Sequence, residues 1–171
     1  MNTIIILRIR TYGDPCLRKK SKPVKEVGPS ERFLINSMIE TMRVHKGIGL
    51  AAPQIGLNEQ IFVVDLGDGP IVVINPHITK RTGCDVMEEG CLSIPEVMVK
   101  VKRANAIVVQ YNDENNRRVE RACSGLMAKV IQHETDHLNG KLIVDYASPA
   151  EKIKFKKKLQ ELEKSNKDAG S

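Results

Sequence analysis

Tryptophan is absent from the 171 residues, and three phenylalanines with three tyrosines bring the aromatic share to only 4%. Proteins that stack successive nucleic-acid bases rely on exposed aromatic rings, and no such platform is evident here. No apolar run approaches the ~20 residues needed to cross a bilayer as a helix. The start, Met1–Arg8, is apolar but short. It lacks a basic leader region and a small-residue cleavage site, so no export signal is expected. It reads as a first strand or an extended arm. Cysteine is sparse: Cys16, Cys84, Cys91 and Cys123. Without export, these thiols are expected to stay reduced in a cytosolic compartment, free to hold metal rather than to form disulfides.

What is present is a moderately basic chain, with net charge +6 and one domain expected over residues 1–171. The last 23 residues carry seven lysines against four acids. Residues 148–171 are expected to form a basic C-terminal helix on Ile153, Phe155, Leu159 and Leu162, with a frayed end over 166–171. Such a surface suits a lysine-rich solvated helix or attraction to ribosomal RNA; the first reading needs no partner.

Residues 12–30 hold Gly13, Pro15, Pro23, Gly28 and Pro29, a loop with at most a short helical turn. Ser30 is the expected cap of a helix to about His45, with Leu34, Ile35, Met38, Ile39 and Met42 at helical spacing. Gly47–Gly56 reads as a tight small-residue loop with Gln54 as an exposed amide. Its glycines permit close backbone approach of a ligand or another segment. Strands are expected at 60–66, 70–75, 97–102 and 105–111, and after the turn at 112–116 the chain returns through 117–121. The pattern predicts an α+β fold: largely antiparallel sheets packed around a late helix, with an early helix and a C-terminal one.

That late helix carries His133-Glu134-Thr135-Asp136-His137, an H-E-x-x-H. Helical positions four apart share a face, about 5–6 Å apart at Cβ, so both imidazoles can reach one ion at about 2.0–2.1 Å. Glu134 then flanks the place where a metal would hold water, as a general base requires. Leu126 and Val130 continue the stripe of the histidines toward the core, and Gly140 is a natural stop. Two satisfied core histidines would give the same pattern, and two ligands do not complete a site. No third histidine stands at position 143, which is Ile143, and Glu151, Glu161 and Glu163 lie in the lysine-rich tail. Cysteine is the remaining good donor type. Cys123, placed at the start of the motif helix, would be roughly 15 Å from His133 along the axis. Cys91, in Glu88-Glu89-Gly90-Cys91-Leu92-Ser93-Ile94-Pro95 between strands, has the most site-like setting. A thiolate binds divalent metals at about 2.3 Å, although a small buried hydrophobe is the plainer use of such a residue.

Together Gly47–Gly56, Glu89–Ser93 and Gln132–Gly140 resemble the three motifs of the peptide deformylases: G-x-G-L-A-A-x-Q, E-G-C-L-S and Q-H-E-x-D-H. All three match in order and spacing, and the resemblance runs from about Thr11 to Ala147. It implies Cys91, His133 and His137 as metal ligands, with a water or hydroxide in the fourth position, and Glu134 as general base and then acid. It implies that the Gln54 amide and the Leu92 backbone N–H stabilise the oxyanion, and that Gly49 hydrogen-bonds the peptide backbone. The implied metal is Fe(2+), with Zn(2+), Ni(2+) or Co(2+) in some preparations. The implied substrate is the N-formylmethionyl end of nascent peptides, and the products are formate and a free amine. Ile48, Met87, Leu126, Val130 and the Lys129 stem are the expected walls of a methionine pocket. Arg103 and Glu89 are expected to pair and support the Cys91 loop. Ribosome contact through the C-terminal helix is compatible with that activity, whereas membrane and DNA are not expected partners. The rivals are an internal-cutting metallopeptidase, a four-ligand structural zinc module and an RNA-binding protein.

Overall fold

The computed structural model describes residues 4–169; the part of the N-terminal expectation on residues 1–3 lies outside them. Two antiparallel sheets and three α-helices make up the fold, with short 3-10 turns between them. The larger sheet has the order β1-β2-β3-β6-β7: β1 (Gly49–Ala51), β2 (Ile61–Val64), β3 (Ile71–Thr82), β6 (Ala106–Asn112) and β7 (Arg118–Ser124). The smaller sheet pairs β4 (Asp85–Cys91) with β5 (Ile94–Arg103). Every ladder pairing is antiparallel, in agreement with the expected α+β architecture.

Strand β2 shows why the layers stack. All four of its residues are buried, because side chains alternate between faces and both faces are covered. Phe62 and Val64 join a core with Ala128, Ile131 and Leu138 of α2 (Gly125–Leu138). Ile61 and Val63 join another with Ile35, Met38 and Met42 of α1 (Pro29–Val44). The motif helix therefore has the sheet on one side. The β4–β5 hairpin lies along its other flank, backed by a third core of Val97, Val99 and Val101 with Phe155 of α3 (Pro149–Ala169).

Several local expectations change. Helix α1 is capped at Gly28 rather than Ser30: Pro29 opens it, and Glu31 Oε2 accepts the Gly28 N–H at 2.8 Å. Proline presets the helical φ and needs no donor at that position. Strand β3 does not stop at Asn75. It passes Pro76 through an irregularity between Ile74 and His77, with Asn75 at φ 52°, the kind of place where a strand tolerates proline. Residues 88–95, read as lying between strands, instead hold the end of β4 and the start of β5, and Gly49–Ala51, read as loop, form β1. Cys123 lies within β7, which ends at Ser124, instead of starting α2, which Gly125 opens at φ 57°. The C-terminal helix remains ordered through Ala169: Asn166 Nδ2 donates to the Tyr12 carbonyl at 2.7 Å, so of the frayed end only 170–171 lie outside the described residues. Residues 4–10 of the N-terminal arm form no strand, and the Leu7 N–H donates to Thr41 Oγ1 at 2.9 Å.

Candidate metal centre

A cleft of about 540 Å³ opens between the β1 segment, the end of β4 and α2. Its lining includes Ile48, Gly49, Gln54, Met87, Glu89, Cys91, Leu92, Leu126, Val130, His133 and Glu134. The volume is within the roughly 300–1,000 Å³ usual for small-ligand sites.

Three donor atoms meet at its floor. His133 Nε2 and His137 Nε2 stand 3.2 Å apart, and Cys91 Sγ is 3.3 Å from His137 Nε2. Two imidazole nitrogens on one tetrahedral ion would stand about 3.3–3.4 Å apart, from bond lengths of about 2.0–2.1 Å. The two imidazoles differ in their electrostatics. His137 is buried, and desolvation with the charges of His133 and Arg103 holds its imidazole well below the ordinary value. A neutral imidazole offers one ring lone pair to a cation, and the His137 Nδ1 lacks a hydrogen-bond partner among the described residues. Burial also disfavours charge on His133, but the Cys91 and Glu89 side chains overcome it and raise its pKa well above normal. Of the described residues, Cys91, His133 and His137 are the group that could hold a metal. Cys16, Cys84 and Cys123 are not in it.

Glu134 lies beside this point, 3% exposed. Burial pushes its carboxyl up to about 7, and its Oε2 has no hydrogen-bond partner. The other oxygen faces Gly49, where an added Cβ would collide with Oε1 and stand 2.8 Å from Cδ. A Cβ at Gly47 would meet Leu92 Cδ1 at 2.8 Å. The glycines of the loop thus accommodate two of the chain's own side chains.

Gln54 is not an exposed amide: it is 1% exposed. Its Oε1 accepts the Ala51 N–H at 2.9 Å, which aims Nε2 at Ser93 Oγ (3.2 Å) and Cys91 Sγ (3.4 Å). That orientation presents an amide donor next to the Cys91 sulfur. Leu126, expected to continue the buried stripe, is 46% exposed at the cleft mouth, as is Ile48 at 45%. Both are apolar surfaces available to a ligand.

Behind the histidines is a buried ionic network. Glu89 Oε2 contacts His133 Nδ1 at 2.9 Å and accepts from Arg103 Nη2 at 2.9 Å. Arg103 Nη1 donates to Asp136 Oδ2 at 2.8 Å, and Tyr146 Oη donates to the same oxygen at 2.7 Å. Desolvation opposes ionisation of Glu89, yet His133 and Arg103 hold its carboxyl below the ordinary value. The expected Glu89–Arg103 pair is present. Sequence reasoning missed Ser93, Asp136 and Tyr146 here. Asp136 sits inside the quoted motif and was the available signal; Tyr146 gave none.

The whole chain is also similar to known proteins. Residues 6–153 match the family model described as polypeptide deformylase. A peptide deformylase of Thermotoga maritima is 47% identical over 156 residues, covering 91% of this chain and 95% of its own. The crystal structure of a peptide deformylase from Legionella pneumophila superposes with TM-score 0.89 at 39% identity, over 95% of this chain and 98% of that one. One from Thermus thermophilus gives TM-score 0.89 at 40% identity, over 94% and 99%. With the family model spanning most of its length, the chain belongs to the polypeptide deformylase family of enzymes.

Proposed function

We propose that this chain is a metal-dependent hydrolase that removes the formyl group from N-formylmethionyl nascent peptides, with Cys91, His133 and His137 holding Fe(2+). One observation carries the reading: three convergent donors with a buried carboxylate beside them, at the floor of an apolar-mouthed cleft. The ion, when held there, supplies Lewis acidity that makes water acidic enough to attack near neutral pH. The same donors accept Zn(2+), Ni(2+) or Co(2+). Both the thiolate and ferrous iron are oxidisable, so aerobic handling should cost activity.

The chain's own groups do the rest. Glu134 takes the proton of the attacking water and delivers it to the departing amine nitrogen, a role typically worth 10²–10⁴-fold. Gln54 Nε2 and the Leu92 N–H donate to the carbonyl oxygen as it becomes anionic; one such donor contributes roughly 3–4 kcal/mol. Gly49 offers backbone hydrogen bonds to the peptide. Ile48, Met87, Leu126, Val130 and the Lys129 stem enclose the methionine side chain. Glu89 fixes the His133 ring through Nδ1, and Arg103 holds Glu89. We read residues 1–171 as one catalytic domain of a bacterial cytoplasm. The exposed lysines of α3, including Lys156, Lys157 and Lys164, are the candidate contact with ribosomes. Reversing those three to Glu should weaken co-sedimentation with ribosomes, and unchanged co-sedimentation would rule the contact out.

The test of the main reading is formate release from formyl-Met-Ala-Ser by anaerobically purified protein, beside Glu134→Ala. Release should fall at least about 10²-fold in the variant while metal content stays the same. No release by the iron-loaded natural chain would refute deformylation. Casein cleavage in its place would favour an internal-cutting peptidase.

A further inference from the structure

Strand β4 and helix α2 face each other across the cleft through alternating residues of the strand. Asp85 reaches Lys129, Met87 lines the cleft with Leu126 and Val130, and Glu89 reaches His133. On the helix, Lys129 and His133 are one turn apart, so the space between them has two ionic ends. The inner end is the buried group of Glu89, Arg103 and His133. The outer end is Lys129 Nζ on Asp85 Oδ2, at 2.7 Å. Lys129 is only 9% exposed along its length, while the Asp85 side chain that its ammonium meets is 58% exposed, so the pair sits at the rim and the buried stem leads to it. A charge on so buried a side chain is best held with a counter-charge. Asp85 supplies it while held in place by the Val86 N–H on its other oxygen, at 2.8 Å. The ammonium in turn keeps the Asp85 carboxyl below its ordinary value.

We propose that the Asp85–Lys129 ion pair sets the side-chain selectivity of this cleft: it holds the ammonium at the rim, so that the Lys129 stem alone lines the wall. The inference rests on the deformylase reading and adds a specificity determinant to it. With the pair intact, the space between Met87, Leu126 and Val130 is apolar and suits an unbranched thioether. With Asp85 neutralised, the lysine is left partly buried without its counter-charge. A substrate whose first side chain is a carboxylate then provides one. Selectivity of this kind works by exclusion, because the intact pair leaves an entering carboxylate desolvated and unpaired.

The experiment measures kcat/KM for formyl-Met-Ala-Ser and formyl-Glu-Ala-Ser in the natural chain, Asp85→Asn and the double variant Asp85→Asn/Lys129→Met. Asp85 is an exposed strand-end residue, so its substitution should leave the fold standing, which circular dichroism checks. The formyl-Glu to formyl-Met ratio should rise at least about tenfold in Asp85→Asn and fall back in the double variant. An unchanged ratio in Asp85→Asn overturns the proposal. So does a raised ratio that persists in the double variant, since the lysine would then not be the acceptor. Failure of the natural chain on formyl-Met-Ala-Ser is a different result: it removes the deformylase reading itself, and this proposal falls with it.

Discussion

Helices α2 and α3 show how differently one kind of element can serve a fold. Helix α2 has 14 residues and buries eight, among them Lys129, Gln132, Glu134 and His137. Helix α3 has 21 residues and buries only Phe155. Burying a polar side chain costs free energy unless it finds a partner, so each such group on α2 demands one. Lys129 has Asp85, and Gln132 spans both the N–H and the carbonyl of Ala104, each at 3.0 Å. Glu134 Oε2 and His137 Nδ1 remain without partners among the described residues. The uncompensated groups lie at or next to the proposed chemistry. Helix length carries no such information; the polar load of the buried face does.

The sharpest way to break the α2 side of this contrast is Gly49→Ala. The new methyl must displace the Glu134 carboxylate from its seat. Misplacing a catalytic group by about 1 Å can cost 10²-fold. We expect kcat for formyl-Met-Ala-Ser to drop about 10²-fold while metal content is retained. A kcat within twofold of the natural value would mean that Glu134 tolerates displacement and is not the base. Arg103→Ala comes next. It strands Glu89 as a buried anion with His133 as its remaining close partner. Loss of such an outer partner typically weakens metal binding about 10–100-fold. Competition against a chelator measures this, and equal retention by variant and natural chain would remove Arg103 from its supporting role.

What the sequence disclosed follows the same division. The pairing of the α2 histidines is legible because helical geometry turns a spacing of four into proximity. Cys91 could be picked out by neighbourhood, and only resemblance tied it to His133. Gln54 was misjudged as exposed: a polar residue after Pro53 gives no sign that Ala51 N–H and Ser93 will enclose it. Strand β4 was overlooked because one face reads Asp85, Met87, Glu89, a polar-rich alternation that resembles loop until the facing helix is known. The ion pairs that close the cleft join positions 44 and 14 apart, and pairing across such separations leaves no periodic trace. Asp136 was visible inside its motif but without a role, since the role depends on Tyr146 arriving from the next turn.

The smallest expected effect sharpens the α3 side. A solvated appendage would tolerate any polar change, whereas α3 is fastened at both ends. Near its start Glu151 Oε1 accepts the Lys100 N–H of β5 at 3.1 Å, while its Oε2 accepts the Ser148 N–H at 2.8 Å as part of a reciprocal cap. Near its end Asn166 Nδ2 donates to the Tyr12 carbonyl at 2.7 Å and lies 3.2 Å from the Thr11 carbonyl. Tyr12 N–H in turn donates to the Ser93 carbonyl at 2.8 Å, two residues from Cys91. The tail of α3 is therefore tied through the N-terminal arm to the loop carrying a proposed ligand. Asn166→Ala should cost about 1 kcal/mol, the usual net worth of such hydrogen bonds. That corresponds to a fall in Tm of about 2–4 °C for a chain of this size. Formate release by the folded variant should be unchanged, because Asn166 holds the strap and touches nothing in the cleft. An unaltered Tm would show that the end of α3 is a loose extension after all, and a lost metal would show that the strap positions Cys91.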